Sequence, residues 1–74
     1  MSKSIYSKEY KKVVDRLKKA RLNASLKQEE VASKLKKPQS YISKIESGER
    51  RVDITELKQL AKIYKKNITY FINK

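Results

Sequence analysis

The segment from residue 28 to residue 47, QEEVASKLKKPQSYISKIES, constrains the fold more than any other part of this chain. Its apolar residues recur at the spacing of one helical face, first in one short run and then in another: Val31, Ala32, Leu35, Ile42 and Ile45. This spacing predicts one helix from about Gln28 to Leu35 and a second helix from about Pro38 to Ser47.

A tight turn at Lys36, Lys37 and Pro38 separates the two predicted helices. Pro38 has no backbone N–H and a fixed φ, so it suits the first turn of a helix and disfavours helical geometry at Lys37. The residue after a helix often needs a positive φ, which glycine adopts without strain. Lys36 occupies that position, so we expect either strain of roughly 1 kcal/mol or a slightly different turn.

The outward side of the second helix carries small or hydrogen-bonding side chains. They are Gln39, Ser40, Ser43 and Lys44, with Tyr41 beside them. A short helix with such a face fits the major groove of B-DNA, where each base pair shows its own pattern of donors and acceptors. The segment therefore predicts a helix that reads the edges of base pairs.

The segment resembles the helix-turn-helix of the lambda repressor and Cro family, also called the xenobiotic-response-element family. The resemblance is carried by Gln28, Ala32, the Gln39-Ser40 pair, the run Ile42-Ser43-Lys44-Ile45-Glu46, and Gly48. It extends from about Val14 to Ile72. It implies an all-α fold, a compact five-helix lambda-repressor-like domain over residues 1–74, with the helix-turn-helix at residues 28–47.

The N-terminal part of the chain predicts an arm followed by a helix. Residues 1–6 are polar without a clear period, which favours a flexible arm. Ser7 is a suitable N-cap, and apolar residues then recur at helical spacing up to Arg21. In the family that the chain resembles, an arginine at this position pairs with the glutamate that closes the recognition helix. The resemblance therefore implies a structural ion pair between Arg21 and Glu46, because neither charge could be desolvated alone.

Two more helices are predicted after the segment. Asp53 and Glu56 form a capping box that opens the first of them. Its apolar face consists of Ile54, Leu57, Leu60, Ala61 and Tyr64. Asn67 is predicted to cap a last short helix that runs through Asn73.

Each residue of the outward face suggests a contact. Gln39 can bond adenine N6 and N7 at once, and Lys44 can reach guanine O6 and N7 or a phosphate. Ser40 can bond a base edge or a phosphate. Two roles are open for Tyr41. It could contact a thymine methyl or a phosphate, or it could be a half-buried residue that braces the turn. Ser43 is either a base contact or a small residue that allows close approach.

Four residues are candidates for phosphate contacts, which set orientation without reading sequence. Gln28 lies at a helix N-terminus, where free N–H groups and the helix dipole favour a phosphate, and it could also brace Gln39. Lys37 could cover the core with its stem while its ammonium reaches outward. Arg50 and Arg51 lie in an exposed loop, for which a solvated turn is the alternative.

Tyr70, Phe71 and Ile72 are adjacent, so they cannot all face one core. The resemblance implies a homodimer that uses these residues, because many short family members dimerise through their last helix. A twofold dimer would read two half-sites about 34 Å apart. The alternative is that Phe71 and Ile68 complete the core of a monomer and that Tyr70 is on the surface.

Composition favours a polyanionic partner and offers no catalytic group. The 74 residues include 20 basic and 8 acidic side chains, a net charge of +12, which points to nucleic acid. The chain has no Cys, no His and one Gly. We therefore expect no enzyme activity, metal site, cofactor or small-molecule ligand. No apolar run approaches a membrane span and no signal core is present, which favours a cytoplasmic protein without membrane contact.

Together these observations predict a sequence-specific transcriptional regulator, a repressor or an activator, that binds double-stranded DNA at a palindromic operator as a homodimer. One alternative is an antitoxin-like or other protein-interaction module of the same fold, which the cluster at residues 70–72 would serve. Another is a basic RNA-binding protein, although the sequence lacks an RNA-type motif.

Overall fold

The computed structural model of the chain describes residues 7–72. The predicted arm at residues 1–6 and the predicted end of the last helix at Asn73 lie outside them. Residues 7–72 form five helices and no strand: α1 (Lys8–Asn23), α2 (Gln28–Lys34), α3 (Gln39–Ser47), α4 (Ile54–Ile63) and α5 (Thr69–Ile72). The predicted all-α fold of five helices is confirmed. None of these helices is long and apolar enough to cross a membrane.

Side-chain caps determine where α1 and α4 begin, as the sequence predicts. The N–H of Tyr10 donates to Ser7 Oγ at 3.3 Å. At α4, the N–H of Glu56 donates to Asp53 Oδ1 at 2.8 Å and the N–H of Asp53 donates to Glu56 Oε1 at 3.0 Å. These bonds complete a capping box and satisfy N–H groups that have no partner within the helix.

The helices of the central segment differ slightly from their predicted bounds. Lys27 is the N-cap of α2, and its ammonium cannot accept a hydrogen bond. Glu30 compensates in part, because its carboxylate accepts the N–H of Lys27 at 2.7 Å. Lys34 ends α2 one residue earlier than predicted, and Pro38 is the N-cap of α3 rather than its first residue.

The first four helices end in the same kind of turn, and only one of these turns contains glycine. The left-handed residues are Ser25 (φ 60°), Lys36 (φ 58°), Gly48 (φ 84°) and Lys65 (φ 58°). After α2, the N–H of Lys37 donates back to the carbonyl of Ala32 at 2.9 Å, a bond typical of the Schellman motif. The turn is therefore kept in its usual form, and Lys36 adopts the strained φ.

All five helices contribute to one apolar core. Its buried members are Leu17, Ala20, Val31, Ala32, Tyr41, Ile42, Ile45, Leu57, Leu60, Ala61, Tyr64 and Phe71. Ile54 was predicted on the apolar face of α4, but it is exposed. It is the first residue of the helix and lies one turn before the buried Leu57, beyond the edge of the core.

Replacing Lys65 by glycine is expected to give a more stable protein than replacing it by alanine. Both changes remove the lysine side chain, but only glycine removes the Cβ that opposes a φ of 58°. The free energy of unfolding of Lys65→Gly should exceed that of Lys65→Ala by about 1 kcal/mol. Chemical denaturation measures both values, and equal stabilities would contradict strain at this turn.

Candidate nucleic-acid interface

Exposed and buried residues divide α3 into two sides. The exposed ones are Gln39, Ser40, Ser43, Lys44 and Ser47, and the buried ones are Tyr41, Ile42 and Ile45. With about 100° of rotation per residue, the exposed set falls within one sector of about 140°. The core therefore holds α3 along one side, and the other side presents a continuous polar face.

A chain of hydrogen bonds connects this face to the protein interior. Gln39 Nε2 donates to Gln28 Oε1 at 3.1 Å, and Gln28 Nε2 donates to Glu46 Oε1 at 3.0 Å. Because a carboxylate only accepts hydrogen bonds, it orients the Gln28 amide with its oxygen toward Gln39. The first residues of α2 and α3 are thereby joined, and the Gln39 amide is oriented in turn.

Arg21 and Glu46 form a buried ion pair, which is the contact that the family resemblance implied. Arg21 Nε donates to Glu46 Oε2 at 2.7 Å and Nη2 donates to Oε1 at 3.0 Å. Nη1 donates to the carbonyl of Leu26 at 2.9 Å. The two charged side chains are 9% and 5% exposed. The hydrogen bond to Glu46 raises the pKa of Arg21, and burial raises the pKa of the neighbouring Tyr64.

Tyr41 does not lie on the exposed face of α3. It is 8% exposed and belongs to the core, so the prediction that it contacts bases is wrong. Cations cover its ring: Lys37 Nζ lies 5.3 Å and Arg50 Cζ lies 4.8 Å from the ring centroid. Burial raises the pKa of the Tyr41 hydroxyl. The position of Tyr41 agrees with the alternative role given by the sequence analysis, a residue that braces the turn.

The loop between α3 and α4 carries Arg50 and Arg51, and each of them contacts an aromatic ring. Arg50 also pairs with Glu56, with Nη2 2.8 Å from Oε2. Arg51 Cζ lies 4.6 Å from the ring centroid of Tyr10, on α1. The Tyr10 hydroxyl accepts the N–H of Val52 at 2.9 Å. Sequence periodicity assigns Tyr10 to the apolar stripe of α1 and contains no signal for its contacts with a distant loop.

Hydrogen bonds around Glu56 keep this charged cluster ionised. Interaction with the Tyr41 hydroxyl raises the pKa of Arg50. Burial acts to raise the pKa of Glu56, but hydrogen bonds from the Asp53 N–H, from Tyr41 and from Arg50 lower it below its ordinary value. Arg50 thus carries a positive charge that a nearby carboxylate partly balances.

The predicted dimer residues point in different directions because α5 is a single turn. Phe71 is 1% exposed and completes the core, so its prediction as an interface residue is wrong. Its ring meets that of Tyr70 edge-on, with 5.0 Å between centroids, and Tyr70 is half-buried. Ile72 is 53% exposed.

Two short helices joined by a tight turn, the second held by the core and exposed along a polar face, define a helix-turn-helix protein. The chain belongs to the Cro/C1-type helix-turn-helix family, whose model matches residues 17–71. This is a family of DNA-binding regulatory domains, and its members are regulators of transcription. No curated protein is significantly similar to the chain.

Removing one partner of the buried ion pair is expected to cost more stability than removing both. Arg21→Met and Glu46→Leu should each lower the free energy of unfolding by roughly 3–5 kcal/mol, because each leaves an unpaired buried charge. The double variant should lose less than either single variant. Urea denaturation of all four proteins measures the coupling.

The half-exposed pair of Arg50 and Glu56 provides a matched control. The cycle of Arg50→Met and Glu56→Gln should show much weaker coupling than the cycle at Arg21 and Glu46, because solvent screens that pair. Additive losses at Arg21 and Glu46, or equal coupling in the two cycles, would contradict the assignment of Arg21 and Glu46 as a buried, mutually dependent pair.

Proposed function

We propose that this chain is a sequence-specific transcriptional regulator that binds double-stranded DNA with α3 in the major groove. The observation that carries the proposal is the continuous exposed face of α3, whose opposite side is packed into the core. A helix held in this way presents hydrogen-bonding side chains to base edges without rearrangement. Its N-terminus enters the groove first, as is usual for recognition helices.

Gln39 is the residue that we propose to read adenine. A bidentate contact to adenine needs one acceptor and one donor, which the glutamine amide supplies together. One N–H of Gln39 is used by Gln28 Oε1, and the Gln39 oxygen and second N–H remain for the base. Because Gln28 is itself oriented by Glu46, the orientation of the Gln39 amide is already set in the free protein. Further contacts to bases or phosphates come from Ser40, Ser43 and Lys44, on the same exposed face.

Phosphate contacts are proposed for Gln28, Lys37, Arg50 and Arg51. A net charge of +12 supplies long-range attraction to DNA, and these residues would set the orientation of the domain on the duplex. Gln28 lies at the N-terminus of α2, and Lys37 is exposed immediately before α3. Arg50 shares its charge with Glu56, so we expect a smaller contribution from Arg50 than from Arg51.

Gln39→Ala is expected to relax base preference at one position of each half-site by roughly 1–3 kcal/mol, because the adenine contact is lost. Selection of bound sequences from a random duplex pool, with the wild type and the variant side by side, measures the change. Lys19→Ala, on the exposed side of α1, is the control and should leave the preference unchanged. An unchanged preference for Gln39→Ala would show that α3 does not read bases as proposed.

We also infer a homodimer that binds a palindromic operator. Support comes from an open groove of about 540 Å³ between α1 and α5, whose apolar lining includes Val13 and the exposed Ile72. Arg16 Nη1 donates to the carbonyl of Tyr70 at 3.2 Å, which attaches α5 to α1 beside this groove. A twofold dimer that binds a palindromic operator needs two copies of α3 about one helical turn, or 34 Å, apart.

Ile72→Asp is expected to dissociate the dimer, because a charge would be desolvated at the proposed contact. Sedimentation equilibrium should show a dimeric wild type and a monomeric variant. Leu22→Asp, at an equally exposed apolar residue of α1, should remain dimeric. Equal behaviour of the two variants would refute this interface. A wild type that is monomeric and binds no duplex would instead favour a protein-interaction module that uses the same groove.

A further inference from the structure

Both ends of the loop between α3 and α4 are held by hydrogen bonds that backbone N–H groups donate. At its start, the N–H groups of Glu49 and Arg50 donate to the carbonyl of Lys44 at 2.9 and 3.1 Å. At its end, the capping box of Asp53 and Glu56 closes the first turn of α4. The backbone of this loop is therefore fixed at its two ends, and its middle residues depend on contacts from elsewhere.

Tyr10 supplies two such contacts from α1. Its hydroxyl accepts the N–H of Val52 at 2.9 Å, across 42 residues of sequence, and this bond is partly buried. Its ring lies against the Arg51 guanidinium, with 4.6 Å from Cζ to the ring centroid. The ring face carries negative charge density, so it attracts the cation. One side chain thus holds both the backbone of the loop and its exposed arginine.

The neighbouring Arg50 is held differently. Its guanidinium lies between the ring of Tyr41, at 4.8 Å, and the carboxylate of Glu56, at 2.8 Å. A carboxylate at this distance competes with a phosphate for the same N–H groups and balances part of the positive charge. Arg50 therefore helps to attach the loop to α4 and has less charge to offer a phosphate than Arg51 has.

We propose that Tyr10 is a positioning residue for DNA binding, which holds Arg51 and the adjoining backbone so that the guanidinium meets a phosphate of the duplex. This inference rests on the proposed function. A free arginine side chain loses much rotational freedom when it is immobilised on a ligand. Arg51 already lies against the Tyr10 ring, so less freedom is lost on binding, and affinity increases by preorganisation.

A double-mutant cycle on the full chain tests this role. Fluorescence anisotropy would measure affinity for two duplexes, one selected by the wild type from a random pool and one with the same bases scrambled. Tyr10→Leu should weaken binding to both duplexes about fivefold, because phosphate contacts do not read sequence. In an Arg51→Ala background, Tyr10→Leu should have no further effect. A Lys19→Ala background removes a charge elsewhere and should keep the full fivefold loss.

Two further variants separate the ring from the hydroxyl and keep the size of the side chain. Tyr10→Phe loses only the bond to Val52 and should bind between the wild type and Tyr10→Leu. A fluorinated phenylalanine at this position, introduced by chemical synthesis, keeps the shape but withdraws charge density from the ring face. It should bind DNA more weakly than Tyr10→Phe does. This difference in affinity should disappear in an Arg51→Ala background. These variants keep the test valid if Tyr10→Leu does not fold.

The proposal is overturned if Tyr10→Leu binds as tightly as the wild type, or if it loses the same factor with and without Arg51, which would indicate a general effect on folding. Equal affinities of the phenylalanine and fluorinated variants would exclude the cation contact and overturn it as well. A wild type that binds neither duplex at low salt would refute the proposed function itself, and that result is seen before any variant is compared.

Discussion

The buried ion pair of Arg21 and Glu46 is the interaction on which the arrangement of this protein depends. Charges this far from water are tolerated only when their hydrogen bonds are satisfied. Arg21 meets that condition through Glu46 on α3 and the carbonyl of Leu26 before α2, so three parts of the chain are brought to one point. Gln28 then bonds Glu46 and orients Gln39, so a charge pair in the interior determines the geometry of the proposed base-reading surface.

A second set of contacts organises the loop that follows α3. Tyr41 and Tyr10 each lie against an arginine, one with Arg50 and the other with Arg51. The rings come from different helices, so the loop is attached to both α3 and α1. Flexible cations on a strongly basic surface would each lose conformational freedom on binding DNA. The ring contacts restrict Arg50 and Arg51 in the free protein, which is the physical basis for the proposed preorganisation of Arg51.

The turns between helices show that tertiary packing can override local preference. Left-handed geometry occurs at Ser25, Lys36 and Lys65, although glycine would adopt it without strain. Each of these residues lies between two helices that contribute to the same core and are separated by only a few residues. The packing of apolar side chains on both sides of each turn outweighs a strain of roughly 1 kcal/mol per turn.

The sequence by itself determined the number of helices, their approximate bounds and the caps at Ser7 and Asp53, because periodicity and capping are local properties. Only the tertiary structure decided which side chains of a polar or apolar run are covered by a neighbour. Tyr41 and Phe71 turned out to be buried, and Tyr10 turned out to hold a loop 42 residues away. A repeat of 3.6 residues gives the side of the helix on which a residue lies, but not what packs against that side.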